Sequence, residues 1–289
     1  MTTPGQWVAG ARPRTLPAAI APVAVGTGLA LGEGAARWLP GLLALVVSLG
    51  LQVAVNYAND YSDGLRGTDA DRVGPFRLVG SGAAAPGAVR NAALAAFVVA
   101  AAAGLGLAAL TTWWLLTVGV ACVAAAWGYT GGSKPYGYRA LGEVSVFVFF
   151  GLVAVTGTYF AHTGRLTGPA VLVAVPVGLL ACALLVVNNL RDVPTDAVAG
   201  KRTLAVVLGD PRTRTLATML LVVPFGFALA TVPFRPWAAL TLVALPLAVG
   251  PVRSIRVRAL GRDLVPVLRD TGRLQLVFGV LLALGLALG

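Results

Sequence analysis

Hydrophobic residues fall into long runs along the whole chain, and short polar stretches separate one run from the next. A helix that crosses a lipid bilayer requires about 20 mostly apolar residues, and on that length the pattern predicts about nine spans. The predicted spans are residues 16–33, 38–58, 91–109, 112–130, 141–161, 167–189, 214–232, 236–252 and 273–289. The pattern therefore predicts an all-α integral membrane bundle of about nine transmembrane helices, which forms a single domain over residues 1–289.

The composition excludes a soluble globular protein. The chain has 289 residues, of which 57% are hydrophobic and 11% charged, and its mean hydropathy is +0.83. A soluble domain carries about 25% charged residues. The two cysteines, Cys122 and Cys182, lie inside apolar runs, so we expect small buried side chains rather than a disulfide or a metal pair.

The charges are distributed unevenly between the two sides of the predicted bundle. All but three of the 22 Lys and Arg residues fall on the side of the N-terminus, the exceptions being Arg37, Arg165 and Arg235. Every acidic residue except Glu33 falls on that side as well. The positive-inside rule then predicts a cytoplasmic N-terminus. The net charge of +11 needs no nucleic acid partner, because it fixes the topology, contacts anionic lipid of the bilayer and can neutralise an anionic substrate.

A first acidic cluster follows the second predicted span. Asn56, Asp60 and Asp63 are spaced i, i+4 and i+7, so on a helix their side chains share one face. Asn59 lies within this cluster, and Asp69 follows it in the long polar stretch. Carboxylates at a membrane boundary are costly unless cations meet them.

A second cluster follows the sixth predicted span. Asn188, Asp192 and Asp196 are spaced i, i+4 and i+8 and would also share a helix face. Pro194 disfavours the helical conformation at Val193, so we expect the helix to loosen before Asp196.

Two such stripes on one side of the membrane predict a site for divalent cations and a phosphorylated ligand. Mg²⁺ binds hard oxygen ligands, with one or two carboxylates per ion and phosphate oxygens completing its coordination. The alternative is structural: the same residues would cap helix ends or pair with Arg66, Arg72 and Arg191. The repeated Asn-x-x-x-Asp spacing favours the metal site.

The segment 129–139, between the two clusters, is rich in glycine, tyrosine and basic residues. Lys134 and Arg139 would supply positive charge to a pyrophosphate, and the exposed backbone N–H groups would supply donors. Lys201 extends the same argument after the second cluster. The alternative is a belt of tyrosine and basic side chains at the membrane interface.

Glu143 lies just inside the fifth predicted span. A buried acid at this position would orient a ligand hydroxyl or a lysine, or it would stabilise the start of the helix. Both interpretations stay open on the sequence alone.

These residues resemble a known family. Asn59-Asp60-Tyr-Ser-Asp63, the segment 129–142, Asn188-Asn-Leu-Arg191-Asp192 and Gly200-Lys-Arg-Thr203 look like the UbiA superfamily of intramembrane aromatic prenyltransferases. The late third acid of the first cluster, Asp69, and the N-terminal segment 12–16 resemble its menaquinone branch.

The resemblance implies a helical bundle around a cavity that opens to lipid, where Mg²⁺ holds a polyprenyl diphosphate and 1,4-dihydroxy-2-naphthoate is prenylated with loss of CO₂. It implies metal binding by Asn56, Asp60, Asp63, Asp69, Asp192 and Asp196. It implies substrate binding by Asn59, Tyr129, Tyr136, Glu143 and Asn188, with Glu143 facing the aromatic acceptor. It implies stabilisation of the departing pyrophosphate by Lys134, Arg139, Arg191 and Lys201.

Three other functions compete with this one. Related enzymes prenylate 4-hydroxybenzoate, homogentisate or haem. A cation-coupled transporter would also contain intramembrane carboxylates, but it would place them near the bilayer midplane, whereas here they gather at one face. A purely structural protein would not need four aspartates there. The resemblance places the enzyme in a bacterial plasma membrane as a multi-pass protein.

Overall fold

The structure, a computed structural model, describes residues 2–67, 74 and 76–289. Helices form nearly all of its regular structure, and a bridge between Arg139 and Arg202 is the one β contact in this described part. The helices are α1 (Pro4–Gly10), α2 (Pro17–Gly32), α3 (Trp38–Arg66), α4 (Pro86–Leu110), α5 (Trp114–Gly128), α6 (Gly142–Thr163), α7 (Gly168–Val198), α8 (Leu204–Leu208), α9 (Asp210–Thr231), α10 (Pro236–Arg256) and α11 (Gly261–Leu288). Asp69 lies outside the described residues.

The prediction of an all-helical membrane bundle is confirmed. Of the described helices, seven are long and apolar enough to cross a membrane, or eight if Pro4–Thr15 and α2, which meet at 51°, count as one span. Each predicted span coincides with a helix, but the fourth corresponds to α5, which has only 15 residues. The number nine and the side of the N-terminus therefore remain predictions.

Helix α2 lies at the centre of the bundle, in contact with α3, α6, α7 and α11. Its contact with α11 is close because small residues meet there. A Cβ atom on Gly279 would lie 2.6 Å from the Cβ of Ala21, and one on Gly28 would overlap the backbone of Ala283. Close backbone approach through glycine and alanine is the usual way for helices to associate in a membrane.

Helix α6 contains a π-helical segment, Phe147–Val153. There α6 approaches α7 so closely that a Cβ on Gly151 would lie 2.6 Å from the Cα of Gly178. Such segments interrupt α-helices mostly at functional sites, and this one supplies Phe149, Phe150 and Val153 to the main cavity.

Helix α7 continues through Pro194 to Val198, so the expected loosening before Asp196 does not occur. Proline removes one backbone donor, and the hydroxyl of Thr195 donates to the carbonyl oxygen of Asp192, 3.0 Å away, at this point. Asp196 therefore stays in register with Asn188 and Asp192 and is buried.

Candidate active site

A cavity of about 610 Å³ lies between helices α3, α5, α6, α7 and α11. Its walls within the bundle are apolar, formed by residues such as Val47, Leu115, Val118 and Phe149. At the end that carries both acidic clusters its walls are polar and basic. The cavity is thus amphipathic along its length.

The N-terminal segment reaches this polar end through Asn56. The Nδ2 atom of Asn56 donates to the carbonyl oxygen of Ala11 and to the hydroxyl of Thr15, both 2.9 Å away. Its Oδ1 accepts from Gln52 at 3.3 Å. A guanidinium nitrogen of Arg12 donates to the backbone oxygen of Asn56 at 3.3 Å. These contacts bring the Arg12 side chain to the cavity wall.

Asp60 holds the chain that follows the first cluster. Its side chain is fully buried, and its two carboxylate oxygens accept from the backbone N–H groups of Leu78, at 2.8 Å, and Val79, at 3.1 Å. Hydrogen bonds of this kind stabilise a buried carboxylate. Asp60 therefore positions the neighbouring Arg77, which lines the cavity.

Asp63 lies on the cavity wall and joins three parts of the chain. Its Oδ1 accepts from the hydroxyl of Tyr138 at 2.8 Å, and its Oδ2 lies 3.7 Å from Arg77. The ring of Tyr138 contacts two cations, Arg66 at 5.5 Å and Lys201 at 5.1 Å from its centroid. Tyr138 is thus the contact between the first cluster and the segment after the second.

Asn59 and Arg66 attach the 129–139 segment to helix α3. The hydroxyl of Thr130 donates to Oδ1 of Asn59 at 2.7 Å. The guanidinium of Arg66 donates to the backbone oxygens of Thr130 and Gly132. Asn59 and Thr130 both line the cavity.

In the second cluster, Arg191 and Asp192 form a buried bidentate pair. The Nε and one terminal nitrogen of Arg191 donate to the two carboxylate oxygens at 2.7 and 2.8 Å. That terminal nitrogen also donates to Oδ1 of Asn188 at 2.9 Å. The other terminal nitrogen is buried and has no hydrogen-bond partner in the described part of the chain. Arg191 lines the cavity, so it keeps donor capacity for a ligand there.

Asp196 extends this end of the site to the following segment. Its Oδ1 lies 3.8 Å from Nζ of Lys201, and its backbone oxygen accepts from the N–H of Lys201 at 2.8 Å. The N–H of Ala140 donates to the carbonyl oxygen of Arg202 at 2.9 Å. These backbone contacts join the 129–139 segment to the second cluster as well, so it bridges both.

Two tyrosines of this segment line the cavity. One of them is Tyr129, whose ring packs edge to face against that of Tyr136 with the centroids 5.6 Å apart. The hydroxyl of Tyr136 donates to the backbone oxygen of Ala125 at 2.7 Å and lies 2.9 Å from the hydroxyl of Ser145. Tyr136 therefore fixes the segment between α5 and α6.

Glu143 lies behind the cavity wall. Its Oε1 accepts from Nδ2 of Asn189 at 3.0 Å, and its backbone oxygen accepts from the thiol of Cys182 at 3.2 Å. Cys182 is buried, as predicted, whereas Cys122 is half-buried and lines the cavity. Asn189, but not Glu143, belongs to the cavity wall.

The chain matches the family model described as the UbiA prenyltransferase family over residues 19–263. The chain belongs to the UbiA prenyltransferase family. It is 55% identical to the 1,4-dihydroxy-2-naphthoate octaprenyltransferase of Mycobacterium tuberculosis, covering 100% of this chain and 99% of the relative. It is 36% identical to the protein of the same name in Escherichia coli, covering 98% and 95%.

Solved structures of UbiA homologues share the fold. One from Archaeoglobus fulgidus, bound to GPP and Mg²⁺, matches with a TM-score of 0.68 at 15% identity and covers 98% of this chain and 100% of its own. One from Aeropyrum pernix K1, in the apo form, matches with a TM-score of 0.69 at 17% identity and covers 91% and 95%. Both solved structures therefore share the helical fold of this chain.

The UbiA bundle brings many of the predicted site residues to one place. On the cavity wall lie Asn56, Asn59, Asp63, Tyr129, Tyr136, Asn188, Arg191 and Lys201. Behind it, buried among partners already described, lie Asp60, Asp192, Asp196 and Glu143. Lys134 and Arg139 are exposed and lie outside the cavity wall, so their roles remain predictions. Within the ranges that the structure describes, no three His, Cys, Asp or Glu side chains lie close enough to hold a metal ion by themselves.

Other polar residues of this UbiA cavity have no site role predicted from the sequence. The cavity wall also includes Arg12, Arg14, Arg77, Asn189 and Arg269. Arg12 and Asn189 belong to motifs that carry the family resemblance. Their position inside those motifs is the sequence signal that could have identified them as site residues. Arg77 and Arg269 come from the long basic stretches, where nothing in the spacing separates a site residue from a topology signal.

Proposed function

We propose that this UbiA family member transfers a polyprenyl group from polyprenyl diphosphate to 1,4-dihydroxy-2-naphthoate with loss of CO₂, giving demethylmenaquinol in the bacterial plasma membrane. The observation that carries the proposal is the 55% identity, over the full length of both chains, to a relative named for that acceptor. The amphipathic cavity supports it, because the donor substrate is itself a charged head on an apolar chain.

The basic end of the cavity suits the diphosphate head. Arg12, Arg77, Arg191 and Lys201 line that end. The unpartnered nitrogen of Arg191 is buried there, and its other donors are fixed by Asp192. A planar, pre-oriented guanidinium binds phosphate oxygens strongly and loses little entropy in doing so. These cations would stabilise the negative charge that develops on the leaving diphosphate.

The donor set also fits Mg²⁺. Asp63 and Asn59 on α3 and Asn188 on α7 line the cavity from two helices, and each carries the carboxylate or amide oxygen that this ion prefers. One or two carboxylates with phosphate oxygens are sufficient for this ion, so a cluster of three acids is not required. When bound, Mg²⁺ supplies charge neutralisation for the leaving group. Asp60, Asp192 and Asp196 would hold the same ions or support the residues that do.

The apolar part of the cavity suits the prenyl chain and the reacting carbon. Loss of diphosphate leaves an allylic cation, which water would quench. Leu115, Val118, Phe149 and Phe150 form apolar walls that would keep water away from the cation in this region. Aromatic faces beside the cation also stabilise positive charge. The electron-rich ring carbon of the acceptor would then bond to that cation, and cleavage of the bond between the ring and its carboxylate, with release of CO₂, would restore the aromatic ring.

Membranes containing the protein test the proposal directly. They receive a polyprenyl diphosphate, Mg²⁺ and either carboxyl-labelled 1,4-dihydroxy-2-naphthoate or 4-hydroxybenzoate, and lipid extracts and released gas are analysed. The expected result is prenylated naphthoquinol with labelled CO₂, formed only with the naphthoate. Prenylation of hydroxybenzoate instead would assign another acceptor. Absence of product with both acceptors, together with cation flux into vesicles, would overturn the assignment of an enzymatic function.

A further inference from the structure

The diphosphate site does not account for Glu143. Its side chain is only 8% exposed, its Oε2 is buried without a hydrogen-bond partner, and no Lys or Arg within the described chain forms an ion pair with it. A buried carboxylate without a countercharge is costly. Its side-chain hydrogen bond goes to Asn189, so the purpose of the carboxylate must be sought through that residue.

The two neighbouring asparagines have different partners. Oδ1 of Asn188 accepts from Arg191, so Asn188 belongs to the cation cluster. Nδ2 of Asn189 donates to Glu143. Because Glu143 engages the amino group, the amide of Asn189 is held in one orientation, and its Oδ1 is the polar atom left for the cavity that Asn189 lines. This part of the wall therefore presents a hydrogen-bond acceptor.

An acceptor on the wall selects a particular ligand. A diphosphate carries only acceptor oxygens, so a carbonyl oxygen backed by a carboxylate disfavours it. A phenolic or naphtholic O–H group is a donor and complements it. The neighbouring wall is formed by Val146, Phe149 and Leu185, which suit an aromatic ring.

We propose that Glu143 is a positioning residue for the aromatic substrate: it holds Asn189 so that Oδ1 accepts a hydrogen bond from a ring hydroxyl of that substrate. The inference rests on the proposed function and deepens it, because it separates the position of the aromatic substrate from that of the diphosphate. Asn188 then lies on the diphosphate side of the cavity, and Asn189 lies on the side of the aromatic substrate.

The test uses full-length protein and 1,4-dihydroxy-2-naphthoate without prenyl diphosphate, so that binding is measured without turnover. The change E143L removes the contact with Asn189 and should weaken binding about 10- to 100-fold. The change E143Q keeps an oxygen that accepts from Nδ2, so most of the affinity should be retained. In turnover assays, the KM for the aromatic substrate should rise in E143L, whereas that for polyprenyl diphosphate should stay within about twofold.

A second set of measurements covers the case in which E143L does not fold. N189L should produce the same defect, and the double variant E143L/N189L should be no worse than either single one, because both remove one interaction. A naphthoate with methylated ring hydroxyls should bind wild-type protein as weakly as E143L binds the parent compound.

Three results would overturn the inference. If E143Q is as impaired as E143L, the charge of Glu143 matters and the orientation of the Asn189 amide does not. Loss of diphosphate affinity in E143L would assign Glu143 to the other substrate. If E143L and N189L both bind 1,4-dihydroxy-2-naphthoate as tightly as wild type, Glu143 and Asn189 have no role in positioning it. In each case wild-type protein still forms prenylated naphthoquinol, whereas failure of the proposed function would appear as no such product from wild-type protein.

Discussion

The two ends of the bundle treat their acidic residues differently. At the end away from the cavity, Glu33 accepts from the hydroxyl of Tyr159 at 2.7 Å and from Arg165 at 2.8 Å, and Arg235 lies 3.9 Å away. At the cavity end, Asp63 and the buried nitrogen of Arg191 face about 610 Å³ of space. Both ends have carboxylates with cations nearby, but Glu33 is not part of the wall of this cavity, whereas Asp63 and Arg191 line it.

The comparison shows that the presence of charges does not identify a site. Around Glu33 the protein supplies the partners itself, and the cluster joins α2, α6 and the segments that precede α7 and α10. Around Asp63 and Arg191 the partners fix the orientation of groups that still contact the cavity. Donor capacity left towards the cavity, as on the buried terminal nitrogen of Arg191, is the property that separates binding from structure.

The largest difference between the ends should come from matched amide substitutions. D63N should lower kcat/KM about 100-fold or more, because it removes the carboxylate that would bind the Mg²⁺ neutralising the diphosphate. E33Q should leave kcat/KM within about twofold. Steady-state prenyl transfer in membranes with equal amounts of each protein gives both values. Equal losses in the two variants would mean that the ends are not functionally distinct.

Metal removal should separate activity from stability. Chelation should abolish turnover but leave the Tm of the ligand-free protein within about 1 °C, because protein groups already contact the carboxylates of Asp60 and Asp192. Mg²⁺ with inorganic pyrophosphate, at about 100 times Kd, should raise Tm by about 5 °C. An equal rise with Mg²⁺ alone would indicate a preformed metal site and contradict this expectation.

A smaller effect should come from two tyrosine hydroxyls. Y138F removes the donor to Asp63 but keeps the ring between Arg66 and Lys201, so kcat/KM should fall about tenfold with little change in Tm. Y159F removes the donor to Glu33, so it should lower Tm and leave kcat/KM nearly unchanged. Steady-state kinetics and thermal unfolding of both variants measure these effects. A loss of Tm in Y138F and a loss of kcat/KM in Y159F would contradict the difference between the two ends.

The smallest effect concerns pH at the Glu33 end. Burial alone would raise the pKa of Glu33, but hydrogen bonds from Tyr159 and Arg165 and the charges of Arg165 and Arg235 outweigh it and place that pKa below 4.5. A lowered pKa contributes stability that is present above pH 4.5 and is lost as pH falls further. At neutral pH, E33Q should lower Tm by less than about 3 °C.

The difference in Tm between wild type and E33Q should therefore shrink as pH falls from 5 to 3. Unfolding curves of both proteins in the same detergent measure it, and other acids cancel in the difference. A constant or growing difference would show that the carboxylate charge does not stabilise this end.

Much of the fold was predictable because membrane spans depend on local hydrophobicity. Each predicted span coincides with a helix, and the helical spacing of Asn188, Asp192 and Asp196 persists through Pro194. The bend before α2, the short α5 and the π-helical segment of α6 were not predicted. These features depend on contacts between helices, such as that of Gly151 with Gly178, rather than on composition.

The site was predictable in its residue types but not in their partners. Asp60 has the same spacing as its neighbours, yet its oxygens accept from backbone groups 18 and 19 residues away. Lys134 lies in a motif and is exposed, whereas Arg77 lies in none and lines the cavity. Such pairings are set by how distant segments fold over one another, which periodicity does not encode.

The π-helical segment Phe147–Val153 also sets the relative rotation of the two halves of α6. A π turn accommodates an additional residue, and each residue of an α-helix turns the chain by about 100°. Glu143 in the first half contacts Asn189, and Tyr159 in the second half contacts Glu33. Deleting one residue in this segment would rotate one half against the other, so only one of these contacts would survive. The number of residues in the segment therefore keeps both ends of the bundle in phase.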